Sequence, residues 1–271
     1  RHRQRAAGWP LRSARRFLSA LRSAARLKPI LLLKSGRHRD TANAAGTHFG
    51  APVPSDAVFE SAVRRAGVVR VREVEQLFHA AKALSSNFCP LGRRLAIISN
   101  GHGPAAMAAD RASDLGIPLA PLASKTLKAL ASAIPKANLP ANPADIGDDA
   151  SAERYRDAII AIAGDDCVDG ILVILAPQAA TQPMEVAATV IALAERPPKP
   201  IIACWMGETQ VLAARNALEE AGIPALGMPE AAVELYNHIS AHYQNQKLLL
   251  QTPEGAANPA RQEVEGARTL I

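Results

Sequence analysis

The feature that most constrains the fold is a regular alternation of short apolar segments and helical patterns over residues 94–243. The apolar segments predict strands at 94–99, 117–120, 170–175, 200–205 and 224–227. The stretches between and after them predict helices at 104–115, 124–133, 151–163, 184–195, 209–221 and 229–243. Because the strand segments are apolar throughout, both strand faces are expected to be buried, as in a parallel sheet covered by helices. The sequence therefore predicts an α/β fold with a doubly wound parallel sheet.

The first ninety residues repeat this pattern on a smaller scale. An apolar strand at 29–34 and a second at 68–71 alternate with helices at 11–26, 56–65 and 73–84. The last of these helices is expected to turn Val74, Leu77, Phe78 and Ala81 inward. We therefore predict two doubly wound, flavodoxin-like lobes, the first incomplete at its N-terminus. We expect a basic disordered lead at 1–10, the first lobe at 11–90, the second lobe at 91–248 and a linker at 249–271.

Composition narrows the class of protein. Hydrophobic residues make up 48% and aromatic residues 4%, which favours aliphatic packing of helices on sheets. Three scattered cysteines without CxxC spacing predict buried thiols of a cytoplasmic protein. The net charge of +6 is concentrated in the first forty residues. The arginines of segment 11–26 either form a nucleic-acid or membrane patch or line a solvated helix face. Because aromatic interleaving and a groove-binding motif are missing, we favour the solvated face and expect neither partner.

Two glycine-rich loops contain candidate catalytic groups. Gly46-Thr47-His48-Phe49-Gly50 lies in a long loop at 35–55, and a neutral imidazole is a competent nucleophile toward phosphorus. Asn100-Gly101-His102-Gly103-Pro104 follows a predicted strand and opens a helix, where backbone N–H groups bind phosphate well. We predict that both loops belong to one phosphoryl-transfer site. The alternatives are that His48 makes an ordinary loop hydrogen bond and that His102 merely fills its turn.

Other sites are less well supported by the motifs. The second loop does not match GxxxxGK[ST], which excludes a P-loop for nucleoside triphosphates. It also lacks GxGxxG with a distal acid, which disfavours a dinucleotide site. Flavin binding is compatible with the fold alone. Asp145, Asp148 and Asp149 match no calcium loop, so capping of the next helix by Asp149 or Ser151 is preferred over a metal site. We expect no metal ligands.

Several blocks taken together resemble one family. They are Lys28–Arg37, His48-x-Gly50-Ala51, Ser55–Phe59, Ile98–Pro104 and Asn142–Asp145. In this order they resemble the nucleoside-diphosphate-forming acyl-CoA synthetases, the superfamily of succinyl-CoA synthetase. The resemblance implies that His48, flanked by Gly46, Thr47 and Gly50, is phosphorylated in mid-reaction. It also implies that Asn100, Gly101, Gly103 and the helix after Pro104 hold the phosphate at a helix N-terminus. His102 is a further candidate phosphate-binding residue from its place in the loop.

The resemblance has further implications. Residues 11–90 would be the C-terminal part of a phosphohistidine domain, residues 91–248 a CoA-ligase domain, and residues 249–271 a linker toward an ATP-grasp domain. CoA, ATP or ADP, and Mg²⁺ would act in a full-length homo-oligomer, with no cofactor bound in this chain. The chain has no initiator Met, and we expect a fragment that is inactive alone. The histidine loop departs from the family at Phe49, Pro52 and Pro54, which stiffen it.

A narrower resemblance gives a second interpretation. Segments 13–22, 146–150 and 245–253 resemble bacterial proteins in which this region is fused to a GNAT acetyltransferase. The region would then be a regulatory, catalytically silent module of a protein lysine acetyltransferase, whose partners are protein substrates. The sequence leaves both interpretations open.

Overall fold

Two parallel sheets organise the chain in a computed structural model that describes residues 13–35, 56–86, 88–90, 92–135, 138–194 and 199–250. The strands are β1 (Leu31–Leu33), β2 (Val69–Val71), β3 (Leu95–Ser99), β4 (Ala144–Asp145), β5 (Gly170–Leu175), β6 (Ile201–Trp205) and β7 (Ala225–Leu226). The helices are α1 (Ala14–Ala25), α2 (Asp56–Arg65), α3 (Val74–Leu84), α4 (His102–Asp114), α5 (Ser124–Ala133), α6 (Ala152–Ala163), α7 (Pro183–Ala194), α8 (Thr209–Glu220) and α9 (Pro229–Leu250). Within the described ranges, no helix is long and apolar enough to cross a membrane.

The larger sheet has five parallel strands in the order β4-β3-β5-β6-β7. Counted within this lobe, that is the 2-1-3-4-5 order of flavodoxin-like folds, with its switch point between β3 and β5. Every residue of β3, β5 and β6 is buried. Alternate residues of the central strands pack on opposite faces, Ile98 against α6 and Ile97 against α4 and α9. The predicted α/β fold with a doubly wound parallel sheet is confirmed.

The edge of this sheet differs from the prediction. The expected strand at 117–120 makes only a single bridge, from Leu119 to Leu95. The edge position is taken by β4, from a segment for which the sequence predicts no strand. The Asn142 side chain accepts from the Ile97 N–H at 2.9 Å and donates to the carbonyls of Leu95 and Ala120. Asn142 thus lies beside the middle of β3.

Helix α9 is longer than predicted because its second half packs against the first lobe. The sequence predicts an end near residue 243, but the helix continues to Leu250. Asn245 donates to the carbonyl of Val68 and Gln246 to that of Gly67, both at 3.0 Å. Leu249 joins a small apolar cluster with Phe59 and Val63. The same helix therefore covers both sheets.

Helix α3 also packs differently from the prediction. Val74 and Phe78 are 59% and 57% exposed, whereas Ala80 and Ala83 are buried against the core of the second lobe. The small alanine side chains let the helix approach closely, so the larger apolar residues point outward. The prediction of buried cysteines holds for Cys204, and burial raises the pKa of that thiol to about 12. It is wrong for Cys89, which is exposed, and Cys167 is partly exposed.

The histidine His242 makes stability depend on pH. The residue is 6% exposed, its Nδ1 has no hydrogen-bond partner among the described residues, and burial lowers its pKa below the usual 6.5. The unfolded chain therefore takes up protons near pH 6.5 that the folded chain does not. The stability that depends on a neutral His242 is fully present above pH 6.5. It is lost as the pH falls from 6.5 toward the lower pKa of His242 in the folded state.

We predict that His242→Leu raises the free energy of unfolding at pH 7 by about 1 kcal/mol, because an unpartnered buried polar atom is removed. Urea unfolding between pH 7 and 5 should also show a smaller loss of stability in this variant. The loss is reduced and not abolished, since burial also lowers the pKa of His238. His102→Leu, at an exposed ring, is the control. An unchanged pH dependence in His242→Leu contradicts the prediction.

Candidate functional site

The candidate site lies at the switch point, where β3 and β5 end side by side. Asn100 follows β3 directly and is fully buried. Its side-chain oxygen accepts from the Ala176 N–H at 2.7 Å, and its side-chain nitrogen donates to the Ala176 carbonyl at 2.8 Å. Ala176 is the first residue after β5, so one amide closes the gap between the two strand ends. In this structure the Asn100 side chain fixes the turn that precedes α4.

A second buried side chain makes the same turn rigid. The Ser99 hydroxyl donates to the Gly101 carbonyl at 2.8 Å and accepts from the Gly101 N–H at 3.1 Å. Ser99 lies in the block Ile98–Pro104, but the sequence assigns it no role because it is the last residue of an apolar strand. The pairing of Ala176 with Asn100 has no sequence signal. Together these groups hold the backbone that starts α4.

The first turn of α4 presents unused backbone donors. Gly101 is the N-cap and has no side chain to cap the helix, and Pro104 occupies the third helical position. No acceptor among the described residues takes the N–H groups of His102 and Gly103. A β-carbon added at Gly103 would meet nothing within 4 Å among the described residues, so the side of the helix at this position is open. Orphan donors and the positive end of the helix dipole suit an anion.

His102 stands at the rim of this turn. Its side chain is 89% exposed, and its Nδ1 lies 3.9 Å from a carboxylate oxygen of Asp145, the last residue of β4. The alternative in which His102 fills its turn is therefore wrong. The other Asp145 oxygen accepts from the Gly147 N–H at 3.0 Å. An exposed ring beside a fixed carboxylate is free to turn toward a bound group.

The other loop of the predicted site, with His48, Gly46, Thr47 and Gly50, lies outside the described residues. The residues that flank it are described, and they form an ion-pair cluster. Arg70 in β2 donates from Nη2 to Asp56 and from Nη1 to Glu60, each at 2.7 Å. Lys34 Nζ lies 3.5 Å from the same Asp56 oxygen. Arg70, and to a lesser degree Lys34, lower the pKa of Asp56 below its usual range.

The acidic segment after β4 is held by hydrogen bonds and an ion pair. Ser151 is the N-cap of α6 and accepts from the Arg154 N–H at 3.3 Å, as the capping interpretation predicts. Arg154 pairs with Asp149 and lowers the pKa of that carboxylate. Among the described residues no three His, Cys, Asp or Glu side chains come together as a metal site.

Comparison with known proteins places this geometry in a family context. Residues 10–84 match the family described as succinyl-CoA ligase like flavodoxin domain. Acetate–CoA ligase [ADP-forming] I of Archaeoglobus fulgidus is 34% identical over 233 residues, which are 84% of this chain and 33% of the relative. The alpha subunit of acetate–CoA ligase [ADP-forming] I of Pyrococcus furiosus is 31% identical over 226 residues, 83% of this chain and 49% of the relative. Over most of its length the chain is similar to these ADP-forming acetate–CoA ligases.

A solved structure extends this relationship to the arrangement of the two sheets. The acetyl-coenzyme A synthetase 1 of Ca. Korarchaeum cryptofilum, solved in complex with phosphate and ADP, superposes with a TM-score of 0.79 at 28% identity. The match covers 91% of this chain and 54% of that chain. This chain thus spans between a third and about half of the length of these relatives. These similarities support the predicted superfamily.

Removing the Asn100 bridge is expected to destabilise the protein. In Asn100→Ala the partly buried N–H and C=O of Ala176 lose their partner, and at about 0.5–1.5 kcal/mol net per hydrogen bond the two lost bonds cost about 1–3 kcal/mol. Urea unfolding of Asn100→Ala should show a loss in this range. The matched control is Asn216→Ala, at an exposed position of α8, where alanine favours the helix and stability should be unchanged or slightly higher. Equal stabilities of the two variants would contradict the bridging role.

Proposed function

We propose that this chain is the part of an ADP-forming acyl-CoA ligase, acting on acetate or a similar acid, in which His48 carries the phosphoryl group. The observation that carries the proposal is the open, uncapped start of α4 at the switch point, in a chain similar to ADP-forming acetate–CoA ligases. The solved relative bound to phosphate and ADP supports the class of ligand. In this proposal CoA, ATP or ADP and Mg²⁺ bind with the help of the rest of a longer, cytoplasmic homo-oligomer.

The proposed reaction uses His48 as a nucleophile. One neutral imidazole nitrogen attacks the phosphorus of an acyl phosphate, an N–P bond forms, and the bond from phosphorus to the acyl oxygen breaks. The carboxylate leaves with the bonding electron pair, and the second ring nitrogen gives up its proton as the imidazolium charge is neutralised. Attack by a terminal phosphate oxygen of ADP then breaks the N–P bond and forms ATP.

The start of α4 would stabilise the group that is transferred. The transferred phosphoryl group bears negative charge on its equatorial oxygens, and preorganised donors act on such charge at little reorganisation cost. Ser99 and Asn100 hold the backbone in place without occupying the His102 and Gly103 amides. The exposed His102 ring is a further donor at the rim.

The alternative is a regulatory module of a GNAT-type protein lysine acetyltransferase. It is favoured by the resemblance of segments 13–22, 146–150 and 245–253 to such fused proteins. In that case the partners are protein substrates. A His48→Asn variant of the full-length protein is then expected to acetylate them as wild type does, while its cooperativity toward acetyl-CoA is altered. Phosphorylation of His48 distinguishes the two functions.

We predict that full-length protein incubated with [γ-³²P]ATP and Mg²⁺ acquires acid-labile, base-stable label at His48. The expected reason is reversal of the last phosphoryl transfer, which leaves phosphohistidine on the enzyme. His48→Asn should take up no label, and His79→Asn, at a surface histidine of α3, should label like wild type. Equal label in wild type and His48→Asn would exclude the carrier role.

A carboxylate placed at the start of α4 should compete with the phosphoryl group. In Gly103→Asp the added β-carbon meets nothing within 4 Å, so the fold accepts it, and the negative charge suits the helix dipole. We expect thermal stability equal to or slightly above wild type, with labelling of His48 reduced on the order of tenfold, roughly 1.4 kcal/mol. Gly103→Asn, with the same shape and no charge, is the control. Labelling lost equally in both variants would point to a steric effect and contradict the electrostatic role.

A further inference from the structure

One partly buried arginine lacks the kind of partner that the others have. Six arginines in the described ranges are partly buried. Five of them donate a hydrogen bond to a side-chain acceptor, and these are Arg70, Arg93, Arg94, Arg111 and Arg154. The sixth, Arg215, has no side-chain acceptor among the described residues, and its single hydrogen bond goes to the Gly207 carbonyl at 3.4 Å. A guanidinium that has lost part of its water usually has a carboxylate or phosphate partner.

Arg215 reaches the carboxyl edge of the larger sheet. It lies in the second turn of α8, and helical side chains lean toward the N-terminus of their helix. Its guanidinium lies beside Gly207, which follows the end of β6, and beside Gly227, which directly follows β7. Ligands of open parallel sheets bind at this edge. The guanidinium is therefore in a place where a ligand can meet it.

The turn after β7 leaves room for the guanidinium. A β-carbon built at Gly227 would come within 2.7 Å of Nη1 of Arg215, closer than real β-carbons come to their neighbours. Any other residue at position 227 would push the end of the arginine side chain away from the edge. Gly207 has a φ of +98°, in the left-handed region that favours glycine. Both turns that border the guanidinium thus suit glycine for a physical reason.

Backbone donors lie close to the guanidinium. No side chain caps α8, and among the described residues no acceptor takes the N–H groups of Thr209 and Gln210. Glu230, in the first turn of α9, acts on the pKa of Cys204 in the opposite direction to Arg215, so both lie near that thiol. The Glu230 carboxylate is nevertheless farther than 4.0 Å from the guanidinium nitrogens. The donors of Arg215 are left available.

We propose that Arg215, with the start of α8, binds an oxyanion at the carboxyl ends of β6 and β7. The ligand class is a carboxylate or a phosphate group, because both match the planar fork of a guanidinium. In the strand order β3-β5-β6, this position is two strands away from the start of α4. That corresponds to about 10 Å along the edge, since neighbouring strands lie about 4.8 Å apart. The inference does not depend on His48, and it adds a second anion position to the edge.

The test titrates the protein with sodium acetate and, separately, with inorganic phosphate at constant ionic strength. The readout is the chemical shift of backbone amides in ¹H–¹⁵N spectra. Amides of Gly207, Glu208 and Gly227 report on the Arg215 position, whereas those of His102 and Gly103 report on the start of α4. The two probes distinguish a carboxylate ligand from a phosphate ligand. Failure of the proposed phosphoryl site removes only the shifts at α4.

We expect one or both anions to shift the amides around Arg215 in a saturable way. Arg215→Met should weaken this binding on the order of tenfold or more, because a charge-assisted hydrogen bond is lost. Its stability in urea should equal or exceed that of wild type, since an apolar chain replaces an unpaired charge. Arg94→Met is the contrast, because it breaks the pair with Asp169 at 2.8 and 2.9 Å and should lower stability with no loss of binding.

A second pair of variants moves the guanidinium without removing it. Gly227→Ala should displace Nη1 and weaken anion binding. Gly164→Ala, where the added β-carbon comes no closer than 3.8 Å to its neighbours, should bind as wild type does. The site is overturned if neither anion shifts the amides around Arg215 in wild type. It is also overturned if Arg215→Met and Gly227→Ala bind like wild type, or if Arg215→Met loses as much stability as Arg94→Met, which would indicate a structural arginine.

Discussion

The parallel pairing of β3 with β5 is the interaction on which the candidate site depends. After β3 the chain turns into α4 on one face of the sheet, and after β5 it proceeds to α7 on the other face. The two strand ends therefore diverge and leave unpaired backbone groups between them. The Asn100 side chain satisfies those groups at Ala176, so the turn into α4 is fixed without help from a ligand. The donors at the start of α4 are left unoccupied by the described part of the chain.

Helix α9 contacts both α4, the helix that follows the Asn100 turn, and the first lobe. Glu234 of α9 accepts from Arg111 of α4 and from Gln76 of α3, the latter at 2.9 Å. Farther along α9, Asn245 and Gln246 bind the backbone that leads into β2. The two lobes are thus held together in part by one helix with polar contacts along most of its length. These contacts attach α4 and the first lobe to the same helix.

The sequence predicted the larger elements well, since long apolar segments and helical spacing survive in any tertiary context. It failed at β4, a strand of two residues that ends in an aspartate and has no measurable periodicity. It also failed at α3, where Val74 and Phe78 were expected inside but Ala80 and Ala83 are the buried residues. A helical pattern shows which residues share a face. It does not show which face meets the neighbour when small residues permit a closer approach.

The order of elements, the parallel sheets and the loop at Asn100–Pro104 followed from the sequence by itself, because burial of apolar segments and glycine-rich turns are local properties. The tertiary structure alone decided that Asn100 binds Ala176, 76 residues away, and that Arg70 binds Asp56 and Glu60. Pairings of this kind depend on which strand ends become neighbours. That is set by strand order and crossover direction, which leave no mark at the individual residues.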